Sequence, residues 1–187
     1  MEKIVLYLYQ TTVEAEITSV LEGLHYEQTL KSLTPTLTKL TAQIDPYEPV
    51  DYHEIYTLIL SDFEMPVTFL TLPGKLFDTL NEDIILNYLE KLPKNFYDGE
   101  DFLLSLIKRC PEVMPSLQKS ISKNLEKSLI ETTLAIADAN MNLSIAAKRL
   151  YMHRNTLHYR IDKVIEQTGI NIKTFKGLSI FNLLFKH

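Results

Sequence analysis

One cysteine, five glycines and no tryptophan are spread over the 187 residues of this chain. The single cysteine, Cys110, excludes a disulfide within the chain and fits a reducing compartment. It lies in an apolar stretch before Pro111 and is expected to be a small buried hydrophobe. Scarce glycine beside abundant leucine argues for helix over turn-rich all-β architecture. Long apolar runs are lacking too. The opening "MEKIVLYLYQ" has six consecutive apolar residues, short of a secretory core, and nothing later reaches the ~18 residues of a membrane span. A soluble cytoplasmic protein without membrane contact is expected. No Gly-rich phosphate loop, nucleophile elbow or Ser/His/Asp constellation is legible, so neither enzymatic activity nor a cofactor is expected.

What is present is a 45% hydrophobic composition, enough to fill a core, and an uneven charge. The net charge is −5, yet residues 124–187 hold nine Lys and Arg against five Asp and Glu. The basic part can meet phosphate, whereas the acidic remainder is repelled by it. Such asymmetry points to two modules with different partners.

The local patterns predict an α+β chain, mostly α, with a small N-terminal α/β domain over residues 1–115. An all-α C-terminal helix-turn-helix domain is expected over 116–187. "KIVLYLY" reads as a buried strand. Thr12 suits a helix cap with Glu14 and Glu16 in the first turn, and the segment to about Ala42 reads as broadly helical, broken near Pro35. Pro46 and Pro49 set a loop. "IYTLIL" and "VTFLTL" read as a hairpin ended by "PGK" at 73–75. "NEDIILNYLEKL" has an Asn cap, early acids and helical spacing, and Pro93 stops it. "DGEDFLLSLIKRC" is another helix, stopped near Pro111. Pro115 suits the first turn of the next. Residues 116 to about 139 read as helical. The domain boundary is expected between Pro111 and Lys123.

The most informative stretch is "NLSIAAKRLYMHRNTLHYRI", residues 142–161. Asn142 and Ser144 are both cap-type residues, and Ser144 is expected to start a helix "SIAAKRLY". Ala146 and Ala147 are small enough to let a second helix approach closely. "YMH" interrupts, and a second helix should run from Arg154 to about Thr168, with Gly169 past its end. Two short helices joined by such a turn form a helix-turn-helix. At 100° per residue, Leu157, Ile161, Val164, Ile165 and Thr168 make one apolar side. Asn155, Thr156, Tyr159, Asp162 and Lys163 lie opposite, Arg154 stands at the N-terminus, and His158 and Arg160 flank the stripe. Arg can fork onto guanine and Asn onto adenine, while Thr and Tyr reach phosphate, as a major-groove helix requires.

This run resembles the C-terminal helix-turn-helix of the PucR and sugar-diacid-regulator (CdaR) family. That pattern stands here as Asn142, Ser144, Ala146, Ala147, Leu150, His153, Arg154, Asn155, Thr156, Leu157, Tyr159, Arg160 and Ile161, followed by Thr168 and Gly169. The "HRNTL-YR" string is specific, and the likeness covers roughly residues 122–187. The resemblance implies a bacterial DNA-binding transcriptional regulator, normally a homodimer, with double-stranded DNA as partner. A small-molecule or protein effector would act at the N-terminal domain. Relatives usually carry an input domain and a cyclase-like domain, and the first 120 residues are too short for both. The rival reading is an interaction protein that keeps the fold without specific DNA binding.

The expected DNA-contacting residues are Asn142, Ser144, Lys148, His153, Arg154, Asn155, Thr156, His158, Tyr159, Arg160 and Lys163. Asp162 and Glu166 suit solvent or intrahelical partners, since acids do not help on a phosphate surface. His153 and His158 fall on different faces, which argues against a zinc site. His25 and His53 are isolated. Tyr47, Tyr52 and Tyr56 gather near the Pro-bounded loop, more as the rim of a small core than as a ligand pocket.

Overall fold

The computed structural model describes residues 2–10, 21–22, 24–25, 27–45, 47, 50–64, 66–123 and 125–186. The helix expected after Thr12, with Glu14 and Glu16, lies outside the described residues. The fold is α+β, mostly α. A five-stranded sheet comprises β1 (Glu2–Gln10), β2 (Gln28–Thr34), β3 (Leu37–Ile44), β4 (Val67–Pro73) and β5 (Phe96–Tyr97), in the order β2-β3-β1-β4-β5. β1 is central, antiparallel to both β3 and β4, and β5 joins β4 in parallel.

The "KIVLYLY" strand lies within β1 as expected, and both of its faces are covered. Ile4, Leu6 and Leu8 point to one cluster with Leu40, Phe69, Tyr56 and Ile59. Val5 and Tyr7 point to the other, with Leu70, Leu72, Phe102 and Leu106. Alternate residues therefore feed separate cores, as strand periodicity requires.

Two expectations are corrected. From Gln28 to Ala42 the stretch expected as helix is strand, because β2 and β3 form a hairpin whose turn holds Pro35 and Thr36. Thr29, Thr34, Thr38 and Thr41 supply β-branched residues that favour a pleated surface, and Pro35 is the turn rather than a helix break. The second correction is "IYTLIL", expected as a strand of a hairpin with β4. It lies in α1 (Tyr52–Phe63), whose N-cap Asp51 accepts from His53 N and Glu54 N. Tyr52, Ile55, Tyr56, Ile59, Leu60 and Phe63 pack on the sheet. Their spacing of three, one, three, one and three is that of a helix face. Tyr52 and Tyr56 thus serve this core, while Tyr47 is 92% exposed.

α2 (Gly74–Thr79) follows β4 directly. α3 (Glu82–Leu89) begins at Asn81, whose side chain accepts from Asp83 N. α4 (Gly99–Arg109) begins at Asp98, which accepts from Asp101 N, and ends at the buried Cys110. A single 3-10 turn precedes α5 (Met114–Ser122), which carries Pro115 in its first turn. The helical run expected to reach Ala139 is divided, since α6 (Lys127–Asp138) starts afresh after residues 123–126. α7 (Leu143–Arg149), α8 (Arg154–Thr168) and α9 (Phe175–Phe185) complete the chain. One apolar cluster runs from Val5 and Tyr7 through Leu76, Leu103 and Leu117 to Leu157, Ile161 and Phe181. The C-terminal helices are thereby seated on the sheet-bearing part.

Candidate nucleic-acid interface

α7 and α8 are set at fixed angles by local backbone chemistry. Asn142, rather than the Ser144 expected to start the helix, caps α7, its side chain accepting from Ile145 N at 3.1 Å, and Ser144 lies inside the first turn. At the preceding turn Met141 N donates to Ile136 O and Asn140 N to Ala137 O, with Asn140 at φ 50°. That pair of bonds is a Schellman closure, and Asn tolerates its left-handed position. α7 ends the same way: Met152 N donates to Ala147 O and Tyr151 N to Lys148 O, with Tyr151 at φ 52°. A tyrosine there is strained by ~1–2 kcal/mol, so the turn is held by its surroundings. Met152 tucks against the core beneath it. The "YMH" interruption is therefore a defined turn.

His153 is the N-cap of α8, and its Nδ1 accepts from Asn155 N at 3.2 Å. Leu157, Ile161, Val164 and Thr168 are buried, and Ile165 is half-buried. Ala146 and Ala147, buried on α7, let α8 come close. Beyond α8, Gly169 takes φ 73° and donates to Ile165 O. A Cβ at Gly169 would stand 2.5 Å from Leu76 N, so α2 directly abuts the end of α8.

The eleven expected site residues separate into two groups. Ser144, Lys148, Arg154, Asn155, Thr156, His158 and Tyr159 are exposed, five of them on the N-terminal half of α8. The other four have partners within the protein, although Asn142 and His153 are themselves exposed. Asn142 and His153 are caps. Arg160 reaches back to α6, its Nη1 donating to Thr132 Oγ1 at 2.9 Å and to Ser128 O at 3.4 Å. Lys163 pairs with Glu126 at 3.3 Å. The first two turns of α8 carry no acid; Asp162 is held by Lys173 at 2.8 Å further along.

Two neighbours were missed in the sequence. Arg149 is exposed, and its guanidinium donates to Asp138 O at 2.9 Å, at the end of α6. Tyr151 is 98% exposed at the turn that leads into α8. Its place inside the interrupting tripeptide was the one available signal.

Further polar contacts hold the C-terminal helices against the remainder. Glu100 accepts from Asn171 N at 2.9 Å and from Thr174 Oγ1 at 3.0 Å. Lys176 pairs with Asp101 at 2.7 Å and Asp98 at 3.4 Å.

The family model for the PucR C-terminal helix-turn-helix domain matches residues 129–186. An uncharacterized protein of Bacillus subtilis, YxkF, is 40% identical over 75 residues, which is 40% of this chain and 25% of that protein. A "Leucine-rich protein" of Streptococcus dysgalactiae subsp. equisimilis is 36% identical over 62 residues, 33% of this chain and 22% of its own. The matched stretch thus spans about a quarter of each of these relatives. Among solved structures, a regulator of polyketide synthase expression from Bifidobacterium adolescentis is similar at TM-score 0.45 and 14% identity, over 98% of this chain and 78% of its own. The matched stretch takes in helices α6 to α9, which are similar to the PucR C-terminal helix-turn-helix domain.

Proposed function

We propose that this protein is a DNA-binding transcriptional regulator that lays the N-terminal half of α8 in the major groove. The observation that carries this reading is the charge arrangement of α8. Arg154, Asn155, Thr156, His158 and Tyr159 are exposed and acid-free, while Asp162 is neutralised farther along. An α-helix fits the major groove, where Arg and Asn each offer two donors or acceptors matched to guanine and adenine edges. Lys148 and Ser144 on α7 would take backbone phosphates and set the register. The positive end of the α8 dipole adds to phosphate attraction. Arg160 is assigned a positioning role: it ties α8 to α6 through Thr132.

The acidic residues 1–115 form the second functional unit in this reading, for dimerisation or for an effector, in a cytoplasmic bacterial protein. One recognition helix reads only a few base pairs, so a homodimer on two half-sites is expected. The exposed Tyr151, Tyr159 and Ile145 favour the rival reading, a protein-docking face. Salt separates the two. Each phosphate contact releases counterions, so DNA affinity falls steeply as salt rises. Fluorescence anisotropy with duplex DNA across a salt series is expected to show that slope. No binding to any duplex at low salt would leave the docking reading standing.

A further inference from the structure

A cleft of about 620 Å³ opens between the α2–α3 junction and α5. Its volume lies within the range of small-molecule sites. The two lips carry opposite charge: Asp78 and Asp83 on the α2–α3 side, Lys119 and Lys123 on the α5 side. Asn87 and Ser120 add neutral hydrogen-bonding groups. Asp78 is held from outside the cleft by Lys3 at 2.8 Å. Among the described residues no ion pair crosses the gap, and Asp83, Lys119 and Lys123 have no ion-pair partner. The α3 N-terminus at this lip is already complemented by its Asn81 cap and by Asp83 itself.

Opposed lips that stay beyond salt-bridge reach suit a ligand that carries both charges. A simple anion would gain the lysines and meet the aspartates, and a simple cation would do the reverse. We propose that this cleft binds a free α-amino acid, with its carboxylate toward Lys119 and Lys123 and its ammonium toward Asp83. The site is placed to be felt by α8. Thr79 lines the cleft, and its hydroxyl stands 3.3 Å from Gln167 O in the last turn of α8. A zwitterion that draws the junction toward α5 moves the seat on which α8 rests. The regulatory consequence rests on the DNA-binding reading; the binding site does not.

The test is calorimetric titration of the full chain, without DNA, with each of the twenty standard amino acids up to millimolar concentration. At least one is expected to bind. Its deaminated and decarboxylated analogues should each bind at least roughly tenfold more weakly, as should the parent amino acid to Lys119→Gln and Asp83→Asn, since each change removes one charged contact. Both positions are exposed; Lys119→Gln should keep the parent's urea midpoint, and Asp83→Asn should lower it only slightly, through loss of its charge at the α3 N-terminus. Amide exchange at residues 165–170 should slow in the bound state. The proposal is overturned if no amino acid binds, if either single-charge analogue binds as well as the zwitterion, or if neither variant weakens binding. Failure of DNA binding would leave these readouts untouched, so the two failures are distinguishable.

Discussion

Replacing Gly169 probes how α8 is seated. The residue sits at φ 73°, where an L side chain costs ~1–2 kcal/mol unless it is Asn or Asp. A Cβ there would also lie 2.5 Å from Leu76 N and 2.9 Å from Leu76 Cα. Those are backbone atoms of α2, next to a buried Leu76 side chain, so they cannot swing aside. Forcing the overlap costs a further ~1–3 kcal/mol through displacement of α2 or α8. Gly169→Ala is therefore expected to lose ~2–5 kcal/mol. Gly169→Asn escapes most of the dihedral cost but keeps the overlap, so it should still lose ~1–3 kcal/mol. For a chain of this length each kcal/mol moves the melting temperature by ~2–4 °C, which puts the alanine variant roughly 4–20 °C below the parent. Thermal melts and urea titrations of both variants provide the assay. If Gly169→Asn matched the parent, the close contact between α2 and the end of α8 would be wrong and only the helix cap would be at stake.

Three further outcomes are expected. Arg160→Leu removes the guanidinium bond to the buried Thr132 and should cost about 1 kcal/mol in urea; unchanged stability would show the side chain free for other partners. Asn142→Ala deletes the α7 cap and should also cost ~1 kcal/mol, whereas Asn142→Asp should be close to neutral, and equal loss in both would rule out capping. The Lys39 ammonium and the Tyr7 hydroxyl, each 2.6 Å from Glu82, hold its carboxyl below the ordinary value of 4.5. A depressed carboxylate stabilises the fold above its unfolded value, and that contribution disappears as pH falls through the lowered folded value. The urea midpoint should therefore drop on acidification below about 4.5, and Lys39→Gln should flatten the drop; an equally steep drop in the variant would show that Glu82 is not responsible.

Local signals were legible in the sequence because they act over a few residues. The cap at Asn81, the breaks at Pro93 and Pro111, the start of α8 at Arg154 and the turn glycine at 169 all follow from side chains close to the backbone they satisfy, whereas Ser144, expected to start α7, gives way to Asn142 two residues earlier. The errors fell where a six-residue window cannot separate strand from helix. "IYTLIL" is β-rich in composition, yet its helical stripe emerges only when Tyr52 and Phe63 are included. β2 and β3 are strands because β3 pairs with β1, some 30 residues earlier, and nothing within the segment announces that partner. The same limit applies at the interface. The exposed face of α8 was readable on a wheel. That Arg160 turns to Thr132, and that Gly169 rests on Leu76, depends on contacts made across 28 residues or more of chain.

The DNA-reading role proposed for α8 is tested most directly by selecting bound duplexes from a random pool, in parallel for the parent chain and Asn155→Ala. The parent should enrich a motif of two half-sites about one helical turn, or a multiple of it, apart. The variant should enrich a motif of the same spacing in which one base position per half-site is relaxed, with a loss of ~1–3 kcal/mol on the parent's best sequence. An unenriched pool for the parent, or an identical motif and affinity for the variant, would contradict base reading by α8.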